Sequence, residues 1–97
     1  MVVERWVIPV KPGLYEEVGA MLKGVRSTFD DPNSMRIYYS EFGEMSSVCY
    51  ELEHESMAAL EQGWKEWNAA PGTPDFLEKW NELVVGHGTR ELWTLVE

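Results

Sequence analysis

Short stretches in which apolar and polar residues alternate are separated by longer stretches with helical spacing. Residues 2–10 are mostly valine, tryptophan and isoleucine with charges inserted singly, which predicts a first strand closed by a Lys-Pro-Gly segment. Over residues 14–29 the apolar positions recur with a period of about 3.6 residues, opposite a charged face. This pattern predicts an amphipathic first helix.

A hairpin of two further strands is predicted next. The segment at residues 30–34 concentrates turn-forming residues, and residues 35–42 are rich in aromatic and β-branched side chains, as strands are. Ser47–His54 alternates apolar with polar residues and is the clearest strand pattern in the chain. Gly43 and Glu44 interrupt the apolar pattern between these two strands, which favours a hairpin.

The second helix is predicted to be broken near residues 70–74. Ser56 suits its N-cap position. The apolar residues that follow at spacings of three, four and three share one helical face: Met57, Leu60, Trp64 and Trp67. The segment AAPGTP ends this first part, but Thr73 can cap a new turn, with Pro74 at its first position, and helical spacing resumes up to Val84.

A Gly-His-Gly turn at residues 86–88 precedes a last predicted strand over residues 89–97. The resulting order, βαββαβ, predicts the α+β class and a ferredoxin-like sandwich, in which an antiparallel sheet carries both helices on one face. No repeat or linker interrupts residues 1–97, so the chain is predicted to be a single domain.

The pleat of the predicted sheet divides the strand residues between two sides. The more apolar row of each strand is assigned to the side that faces the helices: Trp6, Ile8, Val10, Met35, Ile37, Tyr39, Val48, Tyr50, Leu52, Trp93 and Leu95. The alternate residues fall on the other side: Val3, Arg5, Val7, Pro9, Arg36, Tyr38, Ser40, Phe42, Cys49, Glu51, Glu53, Arg90, Leu92, Thr94 and Val96. The large apolar members of this second row, Val3, Val7, Phe42, Leu92 and Val96, would form an exposed patch of the kind that isolated domains usually avoid. We therefore predict a homodimer in which two sheets pack face to face.

Composition and charge exclude several functional classes. With 17 acidic and 8 basic residues the net charge is −9, which repels nucleic-acid phosphates and anionic membranes, so neither is an expected partner. The single cysteine, Cys49, cannot form an internal disulfide, and no spacing of cysteine or histidine suits a metal. Neither a signal peptide nor a membrane span is predicted, and a cytoplasmic protein without a metal or cofactor is expected.

The stretch WKEWNAAPGTPDFLEKWNELV, followed by TRELWTLVE, joins a tryptophan-rich second helix to an apolar last strand. In this stretch and in its order of elements the chain resembles the dimeric α/β-barrel superfamily, and NIPSNAP-like proteins in particular. The resemblance implies a ferredoxin-like protomer, dimerisation through the sheets and a ligand pocket between sheet and helices. It does not imply one chemistry, because some members are cofactor-free oxygenases of aromatic substrates and others degrade haem.

Two sets of residues are candidates for a site. Trp64 and Trp67, next to the predicted helix break, could wall a pocket for a flat apolar ligand or could simply fill the core. His87 in its turn could act as a general base or could be a solvated turn residue. His54, between two glutamates, is assigned no chemistry.

The charges on the side of the sheet away from the helices form the second set. Its members are Arg5, Arg36, Glu51, Glu53 and Arg90. They could form salt bridges between two protomers. Alternatively, Arg5 or Arg90 could anchor a substrate carboxylate or enolate, with Tyr38 as a hydrogen-bond partner.

Three functions follow as hypotheses. The first is a homodimer that binds a small, partly apolar or aromatic molecule, with Arg5, Tyr38, Glu51, Trp64 and Trp67 as its ligand-binding residues. The second is a cofactor-independent monooxygenase or isomerase acting on an aromatic or polyketide-like substrate, with His87 and Arg90 as its catalytic residues. The third is a structural or regulatory dimer without a ligand.

Overall fold

A computed structural model of the chain describes residues 1–41 and 46–96. Its four strands are β1 (Val2–Pro9), β2 (Met35–Tyr39), β3 (Ser47–His54) and β4 (Thr89–Thr94). Its three α-helices are α1 (Tyr15–Arg26), α2 (Met57–Ala69) and α3 (Thr73–Leu83), and one 3₁₀ turn at Pro32–Ser34 precedes β2. This order confirms the predicted βαββαβ sandwich with a divided second helix.

The four strands form one antiparallel sheet in the order β2-β3-β1-β4. The two central strands, β1 and β3, are therefore adjacent although the whole of α1 and β2 lies between them in sequence. In their register Arg5 pairs with Glu51, and Trp6 pairs with Tyr50. The predicted pairing of β2 with β3 is confirmed, whereas Phe42, Gly43 and Glu44 lie outside the described residues.

The core lies between the sheet and the helices. Its buried members come from β1, α1, β2, β3 and the end of α3: Ile8, Val10, Val18, Leu22, Met35, Val48 and Val84. Even-numbered residues of β1 and β3 point into it, as the alternation predicts. The predicted helix-facing rows of the first three strands are thus confirmed where the structure describes them.

The helix ends show where local capping decides a boundary. The Ser56 hydroxyl accepts a hydrogen bond from the Ala59 amide at 3.1 Å, so the predicted N-cap of α2 is confirmed. Thr73, however, does not cap α3. It is the first residue of that helix, Gly72 precedes it as the N-cap, and the Thr73 hydroxyl donates to the Trp67 carbonyl of α2. The hydroxyl thereby joins the two helices across the break.

Several other elements are shorter than the periodicity predicts. The first helix ends at Arg26 rather than at Phe29, because Ser27 and Thr28 turn their hydroxyls back onto the Gly24 and Val25 carbonyls. The second strand ends at Tyr39, and the last strand ends at Thr94. Within residues 1–41 and 46–96, no helix is long and apolar enough to cross a membrane.

The predicted orientation of β4 is wrong. Trp6 pairs with Arg90 and Val3 pairs with Trp93, so Arg90 and Leu92 face the helices while Trp93 lies on the other side. The alternation could not decide this because apolar residues occupy both rows of the strand. The turn before it fixes the register, with Gly86 and Gly88 at φ angles of 70° and 71°.

Candidate functional site

A cavity of about 760 Å³ lies between the sheet and the helices, with lining residues from α1, α2 and α3. Phe29 and six further aromatic rings line it, and these six are Trp6, Tyr50, Trp64, Trp67, Phe76 and Trp80. They contact one another in an unbroken series with centroid separations between 5.0 and 6.4 Å. The series begins at Trp64 and ends at Trp67, one helical turn further along α2, so aromatic faces and edges surround much of the cavity.

The helix break brings the rings of α2 and α3 together. Because α2 stops at Ala69 and α3 starts at Thr73, the second helix can turn and place Phe76 against Trp67, with ring centroids 5.0 Å apart. Phe76 and Trp80 lie four residues apart on α3 and stack at 5.7 Å. The Pro-Gly segment between the helices thus widens the aromatic surface that one continuous helix would offer.

A fully buried carboxylate, that of Glu4 on β1, lies behind this wall. It accepts hydrogen bonds from Trp64 Nε1 at 3.0 and 3.1 Å and from Arg90 Nε at 2.7 Å. His54 Nε2 lies 3.3 Å from Glu4 Oε1, the carboxylate oxygen that Arg90 Nε does not bond to. A buried carboxylate is tolerable only when it is paired and hydrogen-bonded, and three elements besides β1 supply these partners. We call Glu4, His54, Trp64 and Arg90 the Glu4 cluster.

The Arg90 guanidinium also lies over two indole rings of the wall. Its central carbon is 5.4 Å from the Trp6 ring centroid and 5.9 Å from that of Trp64. Both distances are within the range of cation–π attraction. Arg90 does not itself line the cavity, so it supports the wall from behind.

Both histidines reach the cavity wall. His87 lies in the exposed turn before β4, and His54 lies at the end of β3, where the Glu4 carboxylate orients its ring. Burial raises the pKa of the Tyr50 phenol on the same wall, and the nearby Glu4 charge raises it further. The cavity therefore offers two imidazoles and a phenol that keeps its proton.

The opposite side of the sheet carries a second polar network, and we call that side the open face. The Glu51 carboxylate accepts from Arg5 Nε and Nη2, both at 3.0 Å, and from the Tyr38 hydroxyl at 2.7 Å. These hydrogen bonds, led by that of Tyr38, hold the pKa of Glu51 below its ordinary value although burial opposes them. Arg5 also contacts Glu91 at 3.5 Å, and Arg36 pairs with Glu53 at 2.8 Å.

Nucleophile and metal chemistry find little support in the described residues. Burial raises the pKa of the Cys49 thiol, which keeps this side chain in its less reactive protonated form. Across residues 1–41 and 46–96, no three histidine, cysteine or acidic side chains lie together in a way that could hold a metal ion.

The structure divides the predicted site residues between two places. Trp64, Trp67 and His87 line the cavity, whereas Arg5, Tyr38 and Glu51 meet on the open face. Arg90 was expected with Arg5, but it lies across the sheet in the Glu4 cluster, since its strand is turned over relative to the prediction. That any of these predicted site residues contacts a ligand stays a prediction.

Several residues of this site were missed as functional candidates: Trp6, Tyr50, Phe76 and Trp80 of the aromatic wall, and Glu4 and His54 of the Glu4 cluster. A readable signal existed for Glu4, because it falls on the even-numbered row of β1 that otherwise holds Trp6, Ile8 and Val10. A charge in an apolar row indicates a buried partner. The partner of His54 lies 50 residues away in sequence, and nothing in the local pattern shows it.

Comparison with known proteins gives similarity of structure rather than of sequence. No protein-family model matches the chain, and no curated protein matches it. A NIPSNAP domain protein from Burkholderia xenovorans superposes with a TM-score of 0.79 at 14% identity, over 99% of this chain and 95% of that one. A NIPSNAP family protein from Agrobacterium tumefaciens gives 0.82 at 11% identity, over 99% and 86%. The chain shares the fold of NIPSNAP domain proteins.

A third similar structure comes from a differently named group. A putative antibiotic biosynthesis monooxygenase from Chloroflexus aurantiacus superposes with a TM-score of 0.70 at 13% identity, over 99% of this chain and 93% of that one. The resemblance predicted from the tryptophan-rich second helix is therefore confirmed for the ferredoxin-like fold. Identities this low carry the fold and not the chemistry.

Proposed function

We propose that this protein is a homodimer that binds a small, partly apolar or aromatic molecule in the cavity between its sheet and helices. The observation that carries the proposal is the aromatic wall around about 760 Å³ of space, a volume typical of small-molecule sites. Filling a core does not require such a space, because native interiors are close-packed.

Dimerisation through the open face is supported by its side chains. Trp93 and Tyr38 are exposed by 54% and 44%, and Val3 and Val7 lie between them on β1. The corrected orientation of β4 moves Trp93 onto this face in place of Leu92, so a large apolar side chain remains there. Covering it with a second copy buries these groups and the Arg5–Glu51 network together.

A ligand screen tests the binding function directly. Small aromatic acids, quinols, flavins, haem and aromatic amines are added to the intact protein, and the thermal midpoint and tryptophan emission are recorded. A ligand selective for the folded state raises the midpoint and changes emission, since Trp6, Trp64, Trp67 and Trp80 line the cavity. No shift with any compound class would instead favour the structural dimer.

Sedimentation equilibrium tests the dimer. Replacing Trp93 with Glu places a charge in the middle of the proposed interface and is expected to give the mass of one chain. The matched control is Met57→Glu, which changes a similarly exposed apolar residue at the start of α2, away from the sheet. A single-chain mass for the unsubstituted protein at micromolar concentration would refute dimerisation.

A second candidate function is a cofactor-independent monooxygenase or isomerase. Two histidines on the cavity wall favour it, one of them oriented by a buried carboxylate, and a similar structure is named a putative monooxygenase. Once a ligand is found, product formation and oxygen uptake are measured with His87→Ala and His54→Ala. Turnover that neither substitution reduces would exclude both bases.

A further inference from the structure

The charge of the cavity restricts the ligand further than its shape does. Among the described residues that line it, none is lysine or arginine, while Glu66 on α2 contributes a carboxylate. The carboxylate of the other lining glutamate, Glu53, pairs with Arg36 on the open face, whereas Glu66 accepts a hydrogen bond from the neutral Gln62 side chain alone within the described residues. The lining therefore carries a negative charge at the α2 rim that no cation of the described chain neutralises.

The arginines near the sheet offer no anchor for an anion. Arg90 is bound to Glu4 and lies behind the wall, and Arg5 is bound to Glu51 on the other side of the sheet. An anionic ligand would lose its hydration in the cavity without gaining a lysine or arginine partner among the described lining residues, which is unfavourable.

Aromatic faces, in contrast, attract cations. Each of the six rings presents a negative π-face or a positive edge, and indole faces bind cations best. The protein already shows this with its own side chain, because the Arg90 guanidinium lies within 6 Å of the Trp6 and Trp64 ring centroids and is neutralised by Glu4. The cavity-facing rings of Trp67, Phe76 and Trp80 have no such internal cation among the described contacts.

We propose that the ligand of this cavity is a hydrophobic organic cation, such as a tertiary or quaternary ammonium or an aromatic amine, held by the rings of Trp67, Phe76 and Trp80 with Glu66 at the rim. The assignment rests on the small-molecule binding proposed above and names its chemical class. It departs from the expectation that an arginine anchors a substrate carboxylate.

Three probes of similar size separate charge from shape. They are benzyltrimethylammonium, its uncharged carbon isostere neopentylbenzene, and phenylacetate, each titrated into the intact protein by tryptophan emission and calorimetry. The cation is expected to bind about tenfold more tightly than the isostere, since desolvated cation–π contacts are worth roughly 1–2 kcal/mol. Phenylacetate is expected to bind more weakly than either.

Two substitutions locate the effect. Glu66→Gln should weaken the cation two- to threefold and leave the isostere unchanged, whereas Glu78→Gln on the exposed face of α3 should change neither. Trp67→Leu keeps an apolar wall but removes a π-face, so it should weaken the cation more than the isostere. Because Glu66 is exposed, its variant folds even where a tryptophan replacement does not.

The outcomes separate this assignment from the binding function. Neopentylbenzene or phenylacetate binding as tightly as the cation, or a Glu66→Gln effect equal for cation and isostere, overturns the cationic assignment and leaves the cavity a binding site. Binding of none of the three probes also overturns it. Small-molecule binding itself fails only if the wider screen of compound classes is blank as well.

Discussion

The two sides of the sheet hold ion pairs of the same chemistry in opposite surroundings. On the helix side Glu4 is fully buried and bonded to Arg90, whose side chain is 40% exposed. On the open face Arg5 is 42% exposed and its partner Glu51 is 12% exposed, while the Arg36–Glu53 pair is more open still. The separation of the charged atoms is similar on both sides, at 2.7 to 3.0 Å.

The difference shows that distance alone does not give a pair its importance. The Glu4 carboxylate is shielded from water, so the loss of a partner leaves a buried charge uncompensated. Glu51 and Glu53 remain partly hydrated, and water replaces a lost arginine at little cost. The helix side therefore fixes the orientation of β4 and the aromatic wall, whereas the open-face charges are free to adapt to a second copy.

The largest expected effect is that of Arg90→Met, which keeps the length of the side chain and removes its charge. We expect the free energy of unfolding to fall by about 3 kcal/mol, because the buried Glu4 carboxylate loses the arginine that neutralises it. Urea denaturation at one fixed protein concentration measures it. The double variant with Glu4→Leu should recover much of the loss. A loss below about 1 kcal/mol for Arg90→Met alone would contradict the proposed difference between the buried pair on the helix side and the exposed pairs on the open face.

A smaller loss is expected from Gly88→Ala, which tests how the turn fixes the register of β4. A Cβ atom at Gly88 would overlap the Val7 carbonyl of β1, whereas one at Gly86 would meet nothing within 4 Å. Both glycines have positive φ angles, so Gly86→Ala is the matched control for backbone strain. We expect about 1 kcal/mol for Gly86→Ala and about 2 for Gly88→Ala. Equal losses would show that the close approach is unimportant.

Local signals in the sequence predicted most of the fold. The alternation in Ser47–His54 and the hydroxyl of Ser56 act on neighbouring residues, and the structure has the strand and the N-cap where they were predicted. The orientation of β4 depends instead on Glu4, which lies 86 residues from Arg90 in sequence. Because Leu92 and Trp93 are both apolar, alternation alone does not distinguish the two sides of the strand, and the glycine turn and this distant pairing fix its orientation together.

The candidate site was predictable in part for the same reason. Trp64 and Trp67 share a helical face next to a visible break, so their place at the cavity wall follows from spacing. The cavity itself depends on how Tyr50 of β3 meets Trp80 of α3, a contact between two elements that no local pattern encodes. The position of His54 against Glu4 is likewise a tertiary contact.

On the open face, Arg36→Met should have a weaker effect than either Arg90→Met or Gly88→Ala. Its pair with Glu53 is 2.8 Å long, but the arginine side chain is 55% exposed, so we expect a loss of about 0.5 kcal/mol or less. The measurement is made by urea denaturation at a concentration where sedimentation shows single chains. A loss as large as that of Arg90→Met would mean that burial does not distinguish the two faces.

The smallest expected effect concerns how the stability of the folded chain falls at acid pH. Hydrogen bonds from Tyr38 and Arg5 lower the pKa of Glu51 in the folded chain, so the unfolded chain binds more protons there and stability rises with pH. This contribution is fully present above the ordinary glutamate pKa of about 4.3 and is lost as the pH falls through the lowered folded value. Glu51→Gln should therefore flatten the rise of the thermal midpoint between about pH 2 and 5. Tyr38→Phe removes the leading hydrogen bond alone and should flatten it less, and an unchanged slope in both variants would assign the acid sensitivity to other carboxylates.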